Sequence, residues 1–382
     1  MIALRRGGFV VVRDEIRNHC FPMKFPAQSI LVIATRHIGD VLLTTPLLRS
    51  LRFAYPDARI DALVYRWTAE VLDGNPDVNN VITVNQDPRF PEYIALVKKI
   101  FRHYDLAVST LTSDRPILYA FWAARKRISL VPPYRLNDAW KRWITQGWTE
   151  LDDWDTHTVI QNLGLCDLLE IERHHEVVVP QSPRSSETLN ALLPFPWQTN
   201  PYAVFHMVPL RLYKRWTLKG WQAVARHLGS MGFRIVIVGG SDKEEKEYVQ
   251  QFMMGMPATV ANLTGKLKFS EVAKLIASSR VYVGPDTAVT HLAAATGAPT
   301  VALYGPTNPV KWAPWPHGFR ESRNPFERKG TQHVGNVILV QGAGDCVPCH
   351  EEGCDRHRQS KSRCLEELDS ATVIQAIESA LR

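Results

Sequence analysis

Apolar runs of strand length recur along the chain. Each is followed by a polar turn and then by apolar positions at helical spacing. The first, Ile30-Leu31-Val32-Ile33-Ala34, is continuous, as in a strand buried on both faces of a parallel sheet. After a turn over residues 35–40, residues 41–55 place Leu43, Leu47, Leu48 and Leu51 on one side of a helix. Pro46 falls inside this stretch, so the helix either starts there with Thr45 as cap or kinks. Residues 59–65, 81–84 and 104–110 read as further strands, with a basic amphipathic helix over 93–102 and a helix at 157–163.

The second half repeats the alternation. Strands are predicted at 202–206, 234–238, 281–283 and 300–304, and helices at 218–231, 270–278 and 287–296. Gly232 and Gly297 close two of these helices. Stacked βα units imply an α/β fold with parallel sheets. Between the halves, residues 181–201 are rich in Pro and Ser and are expected to be the linker, with a short helix at 188–193. The expected organisation is an extension over 1–29, a first domain over 30–180, a second over 202–345, and a Cys-containing loop and helix over 346–382. The final helix, 371–381, is placed against the first domain.

The chain has 382 residues, beyond the roughly 250–300 at which a single core stops growing, so two domains are expected. Two doubly wound domains would form a cleft where the C-terminal edges of their sheets face each other. The net charge of +7 favours anionic partners, and no nucleic-acid-binding signature accompanies it. No apolar stretch approaches the roughly 18–20 residues that span a bilayer. With a poor signal peptide at the N-terminus, a cytoplasmic protein with peripheral membrane contact is expected. Four of the six cysteines, Cys346, Cys349, Cys354 and Cys364, crowd near the C-terminus. A leading C-x-x-C suggests tetrahedral zinc, but the second half does not repeat it and His350 and His357 confuse the ligand set, so no metal is assigned.

Candidate chemistry sits in the strand-to-helix turns. In Thr35-Arg36-His37-Ile38-Gly39-Asp40, Gly39 permits a tight turn or close ligand approach. Asp40 can act as a general base toward a hydroxyl or, more commonly, as a helix N-cap. In Gly284-Pro285-Asp286-Thr287-Ala288-Val289-Thr290-His291, a helix start with free N–H groups suits a phosphate, and a plain capped helix is the alternative. Arg211, Lys214 and Arg215 follow a strand and can neutralise a diphosphate, with Trp216 favouring a site over a bare basic loop. Gly239-Gly240 after a strand resembles a nucleotide-approach turn, and Asp242 can hold a ribose hydroxyl or cap the next helix. Asp153-Trp154-Asp155 has the D-x-D form but does not follow a strand, and reads as a solvated turn.

Taken together, these motifs resemble glycosyltransferase family 9, the bacterial lipopolysaccharide heptosyltransferases. Ile38-Gly39-Asp40-Val41-Leu42-Leu43-Thr44-Thr45-Pro46 is similar to the family's opening motif. Lys214-Arg215-Trp216, Asn262-Leu263-Thr264-Gly265, the run from Gly284 to His291, and Val301 to Pro309 are similar to its second-domain motifs. The cysteine tail also looks like that of many members, and the branch adding a third heptose looks most similar. The resemblance implies the GT-B architecture, two Rossmann-like domains facing across a cleft, with the acceptor on the first and the donor on the second. It implies ADP-heptose as donor, a lipid A-core acceptor, no cofactor, metal-independent transfer and inversion at the anomeric carbon. It assigns catalysis to Asp40, with Thr35 and Gly39 beside it on the acceptor loop. Donor binding falls to Lys214, Gly239, Gly240, Asp242, Asp286, Thr287, Ala288 and His291. Three departures stand out: Met207-Val208-Pro209 where the family often has a Gly-containing turn, Ala288 where it often has Gly, and residues 1–29.

Two other readings compete. One is another GT-B activity on a different nucleotide sugar, including an epimerase, which would need no acceptor. The other is a nucleotide-binding protein that consumes no donor.

Overall fold

The computed structural model describes residues 26–382 apart from Ala258. Two sheets organise it. The first lobe runs β1 (Ser29–Ile33), α1 (Ile38–Leu42), α2 (Thr45–Ala54), β2 (Arg59–Tyr65), β3 (Asn80–Val84), α3 (Phe90–Ile100), β4 (Tyr104–Ser109), α4 (Asp114–Ala123), β5 (Ala124–Val131), α5 (Ala139–Ile144), β6 (Gly147–Glu150) and α6 (Thr158–Asp167), and α7 (Ser185–Leu192) follows. The second runs β7 (Tyr202–His206), α8 (Leu218–Ser230), β8 (Arg234–Val238), α9 (Lys243–Met253), β9 (Val260–Asn262), α10 (Phe269–Ala277), β10 (Val281–Pro285), α11 (Ala288–Thr296), β11 (Thr300–Tyr304), α12 (Pro309–Trp312), β12 (Gln332–Val334), β13 (Val337–Gln341), α13 (Arg363–Glu366) and α14 (Ser370–Ala380).

The first sheet has the order β3-β2-β1-β4-β5-β6, and all its pairs are parallel. The second has the order β12-β13-β11-β10-β7-β8-β9, parallel except for β12 against β13. Each lobe is thus a doubly wound Rossmann-like layer, the GT-B arrangement. The strand order reverses direction between β1 and β4, and between β7 and β10, and such switch points open a crevice for ligands. Strand cores such as Ile30, Val32, Val204, Val236 and Val283 are fully buried, as two-sided parallel strands require.

Several details differ from the sequence expectation. Residues 41–55 form two helices, broken at Leu43 and Thr44. Pro46 occupies the first turn of α2, where its missing N–H costs nothing, and the cap position is Thr44 rather than Thr45. β5 and β6 extend the first sheet beyond the strands expected. β5 begins directly after α4, with Arg125, Lys126 and Arg127 at its start instead of an apolar run. α14 packs on α8, β13 and β11 of the second lobe, not on the first, with Val373 and Ile377 buried against that lobe's core. The segment between the sheets is not a free tether. Gln181 N donates to Asp73 O of the first lobe, while Thr188 of α7 donates to Glu271 of the second. Of the expected extension, residues 1–25 lie outside the described residues, whereas Ala27 is buried and Ser29 already pairs with Arg59.

A polar strap links the lobes. Residues after β6 donate to or accept from the second lobe: Lys311 Nζ to Asp152 O (2.6 Å), Asn308 Nδ2 to Trp154 O (2.8 Å), and Asn324 Nδ2 to Asp155 O (2.7 Å). The Asp153-Trp154-Asp155 turn belongs to this strap. Asp152 holds it by accepting from the Trp154 and Asp155 N–H groups and the Thr156 hydroxyl. No helix among the described residues is long and apolar enough to cross a membrane.

Candidate active site

The chain leaves β1 through a tight turn, closed by the Arg36 N–H donating to Ala34 O. α1 then starts at Ile38 with His37 in the cap position, and His37 makes no capping hydrogen bond. Asp40 is the third residue of α1, so its carboxylate is not spent as an N-cap. It pairs instead with Arg36, Nε to Oδ1 at 3.1 Å, inside the cleft. Burial dominates its surroundings and raises its pKa above the ordinary carboxylate value, although Arg36, His37 and Lys214 pull the other way. Thr35, expected on the same loop, is buried and does not line the cleft. It lies before the turn completes, so the loop presents Arg36 and His37 instead.

The second lobe faces Asp40 with a cation and a helix start. Lys214 ends a 3₁₀ turn after β7 (Leu212–Lys214), and its Nζ lies 2.5 Å from Asp286 Oδ2. Tyr304 donates to the other carboxylate oxygen at 3.3 Å. Burial is the largest influence and would raise the Asp286 pKa, but Lys214, His291 and Thr307 together outweigh it and hold the carboxyl below its usual value. Thr287 occupies the cap position of α11, where its hydroxyl bonds His206 Nδ1 (3.1 Å) instead of the helix. The N–H groups at a helix start lack intrahelical acceptors, and Thr287, Ala288 and Val289 at the start of α11 line the cleft. His291, one turn along, is buried with Nδ1 unpartnered, and burial depresses its pKa to about 4.

The lobes touch here. A Cβ added to Gly39 would lie 3.4 Å from His291 Cδ2 and 3.8 Å from Ala288 Cα. α1 and α11 thus meet at Gly39 and the small Ala288, with room for no more than a methyl between them, beside a cleft of about 910 Å³.

Gly239 and Gly240 follow β8 and line the cleft, but their space is used internally. A Cβ on Gly239 would fall 2.0 Å from Glu245 Oε1, and Gly240 N donates to Glu245 Oε2 at 2.9 Å. Asp242 caps α9 by accepting from Glu244 N, while also lining the cleft. Glu245, three residues further, sits 3.9 Å from His206, and burial pushes its pKa up to about 7. Its first-turn position explains it from sequence as a partner of the helix dipole; only the fold aims it inward.

The cleft thus gathers Gly39, Asp40, Lys214, Gly239, Gly240, Asp242, Asp286, Thr287, Ala288 and His291, and leaves out Thr35. It adds Arg36, His206, Glu245 and His350. Arg36 stands four residues before Asp40, one helical turn in spacing, and His206 is the polar end of an apolar strand. Both signals were available in the sequence. Trp216, by contrast, is core. It packs edge-on against Trp221 at 5.2 Å, crosses Gly220 and donates to Leu368 O. The cysteine loop walls the cleft through His350, whose ring lies 4.6 Å from Trp154. Among the described residues no group of three or more His, Cys, Asp or Glu is arranged to hold a metal ion.

Residues 95–338 match the family model of glycosyltransferase family 9 (heptosyltransferase). The chain is 30% identical to lipopolysaccharide heptosyltransferase 3 of Escherichia coli over 294 residues, covering 73% of this chain and 84% of that one. It is 27% identical to lipopolysaccharide heptosyltransferase 2 of Escherichia coli K12, covering 78% and 88%. Among solved structures, a family 9 glycosyl transferase from Veillonella parvula superposes with a TM-score of 0.74 at 20% identity over 94% of this chain and 99% of that one. An Escherichia coli heptosyltransferase solved with ADP superposes at 0.69 and 20% identity, over 92% and 99%. With a family-model match over residues 95–338, a 30% identical relative covering 73% of the chain and the two-lobed fold in common, this chain belongs to glycosyltransferase family 9, the heptosyltransferases, and is a glycosyltransferase.

Proposed function

We propose that the chain transfers heptose from ADP-heptose to a hydroxyl of the lipopolysaccharide inner core, with inversion and with Asp40 as general base. One observation carries this reading: Asp40 on the first lobe faces the Lys214, Asp286 and Thr287 cluster of the second across one cleft. The relatives named above are lipopolysaccharide heptosyltransferases, and the Escherichia coli heptosyltransferase solved with ADP has also been solved with ADP-2-deoxy-2-fluoro heptose.

In this reading the second lobe is the donor lobe and the first the acceptor lobe, with residues 181–201 joining them. The diphosphate lies against Lys214 and the first turn of α11, where an ammonium and backbone N–H groups stabilise charge that grows as the anomeric C–O bond breaks. The acceptor oxygen attacks the opposite face of that carbon and passes its proton to Asp40. ADP leaves with both bonding electrons. Lys214 supplies the neutralising charge, so the step needs no divalent ion. A raised carboxyl pKa makes Asp40 a stronger base than an exposed aspartate. Glu245 or Asp242 holds the ribose.

The test is incubation with ADP-heptose and truncated core acceptors, with and without EDTA, reading product mass and anomeric configuration. An α-linked product from a β-linked donor is expected, undiminished by EDTA. Release of heptose or donor interconversion without acceptor would replace this reading with hydrolysis or epimerisation.

A further inference from the structure

A second depression, of about 670 Å³, opens on the first lobe, apart from the cleft. Its walls come from the end of β2 (Tyr65), the loop after β3 (Gln86, Asp87), α3 (Tyr93) and the start of α4 (Ser113, Arg115). It therefore lies at the C-terminal edge of the sheet, the edge that also carries Asp40. Two tyrosines flank it and hydrogen-bonding groups surround them, which is how a site takes a sugar ring: apolar ring face on an aromatic, hydroxyls on polar atoms.

Three further observations converge. First, Tyr119 is not in the lining but packs behind Tyr93, fully buried, its ring 5.6 Å from that of Tyr93, and its hydroxyl has no hydrogen-bond partner. A buried unpaired hydroxyl is costly, and a polar group delivered past Tyr93 would relieve that cost. Second, the local charges are closed among themselves. Arg115 Nη1 donates to Gln86 O and lies 4.0 Å from Asp87, and Asp114 is paired with Lys141 at 2.8 Å. Lys141 is buried between Asp114 and Asp138, and Arg115 stands at the rim beside the carboxylates of Asp87 and Asp114, so the surroundings favour an uncharged polyol over an anion. Third, an aromatic path joins the depression to the catalytic cleft. Tyr65 stacks with Trp67 at 6.2 Å and 16°, and Trp67 lies 5.7 Å from His37, three residues from Asp40. Trp67 is 46% exposed and lines the catalytic cleft, so an apolar ring face is open to a ligand between the two places.

We propose that this depression is a subsite for an uncharged sugar ring of the acceptor, a different ring from the one that receives the transferred sugar. The intervening part of the acceptor runs along Trp67. The inference rests on the transferase reading above and adds that the enzyme measures acceptor length, because only an oligosaccharide reaches both places.

The test compares wild type with Gln86→Ala/Asp87→Ala, whose side chains are exposed, and with Trp67→Ala, after equal melting temperatures have verified folding. Acceptors are a core oligosaccharide, phosphorylated or enzymatically dephosphorylated, and the methyl glycoside of a single heptose. Wild type should favour the oligosaccharide in kcat/KM, and both variants should cut that advantage at least tenfold, with phosphorylated and dephosphorylated forms affected alike. An unchanged advantage overturns the subsite, as does loss of the effect on dephosphorylation. Should wild type glycosylate no acceptor, the transferase reading fails on its own. The subsite is then judged by NMR titration of the same oligosaccharide: binding lost in the variants supports it, and equal binding refutes it.

Discussion

Lys214 Nζ lies 2.5 Å from Asp286 Oδ2, so the cation that faces Asp40 across the cleft is held in place by a buried carboxylate. A lysine fixed this way reaches a diphosphate without losing side-chain entropy on binding. Lys214→Met should weaken ADP binding by about 10–100-fold, roughly 1.5–3 kcal/mol for a lost charge-assisted contact. Asp286→Asn should weaken it less, because the ammonium remains but is no longer aimed. Calorimetric titration with ADP checks both, and unchanged affinity in Lys214→Met would remove the phosphate role.

Asp40→Asn should keep ADP affinity and lose about 10²–10⁴ in turnover, the usual range for a general base. The pH dependence has a definite sign. Burial raises the Asp40 pKa, so the acid limb of kcat/KM should lie above that of an exposed aspartate. Arg36 lowers it, so Arg36→Ala should move the limb to still higher pH. A limb that shifts down, or stays, in Arg36→Ala argues that a different group titrates.

Gly39→Ala should be tolerated, since its Cβ would meet His291 at 3.4 Å, an ordinary contact. Gly39→Val adds two methyl groups toward α11 and should push the lobes apart, cutting kcat/KM by about tenfold or more, because misplacement of even 1 Å is costly to catalysis. Equal kinetics for the two variants would show that close approach of α1 and α11 is not required.

His157 belongs to the interlobe strap. It is fully buried, Nε2 bonded to Ala313 O at 2.8 Å, and burial drives its pKa down to about 3. His206 and His291 are depressed to about 4. Unfolded histidines bind protons below about pH 6.5 while these folded ones do not, so stability should fall as pH drops from about 6.5 toward 4. Each contributes on the order of 1 kcal/mol per pH unit. His157→Gln should flatten the decline in melting temperature over that range even if it lowers the value at pH 7.5. A slope identical to wild type would exclude His157 from the linkage.

Trp216→Ala should destabilise by about 3–5 kcal/mol, the range for deleting a large buried aromatic, read as a drop in urea midpoint. A small stability change with a large rise in donor KM would instead return Trp216 to the site.

Most strands were legible because a two-sided parallel strand is largely an apolar run: β1, β7, β8 and β11 are nearly continuous, and β2 and β4 are broken only by Asp61 and Asp105. β5 was not, because charged residues open it and no loop separates it from α4. The opening and second-lobe motifs pointed to Asp40, Lys214 and Thr287, and the fold brings all three to one cleft. Trp216 misled because a tryptophan beside cations has the same local sequence whether it faces a ligand or another tryptophan.

By itself, then, the sequence determined the alternation of strands and helices, the two lobes and the family, since these depend on local periodicity and short motifs. Only the tertiary structure decided that Asp40 pairs with Arg36 rather than capping a helix, that Glu245 fills the space beside Gly239, and that α14 returns to the second lobe. The first two join residues only four and six positions apart, yet the direction each side chain takes depends on what surrounds it, and the third joins segments far apart in the chain. Direction and burial of that kind are set by packing, which no local pattern encodes.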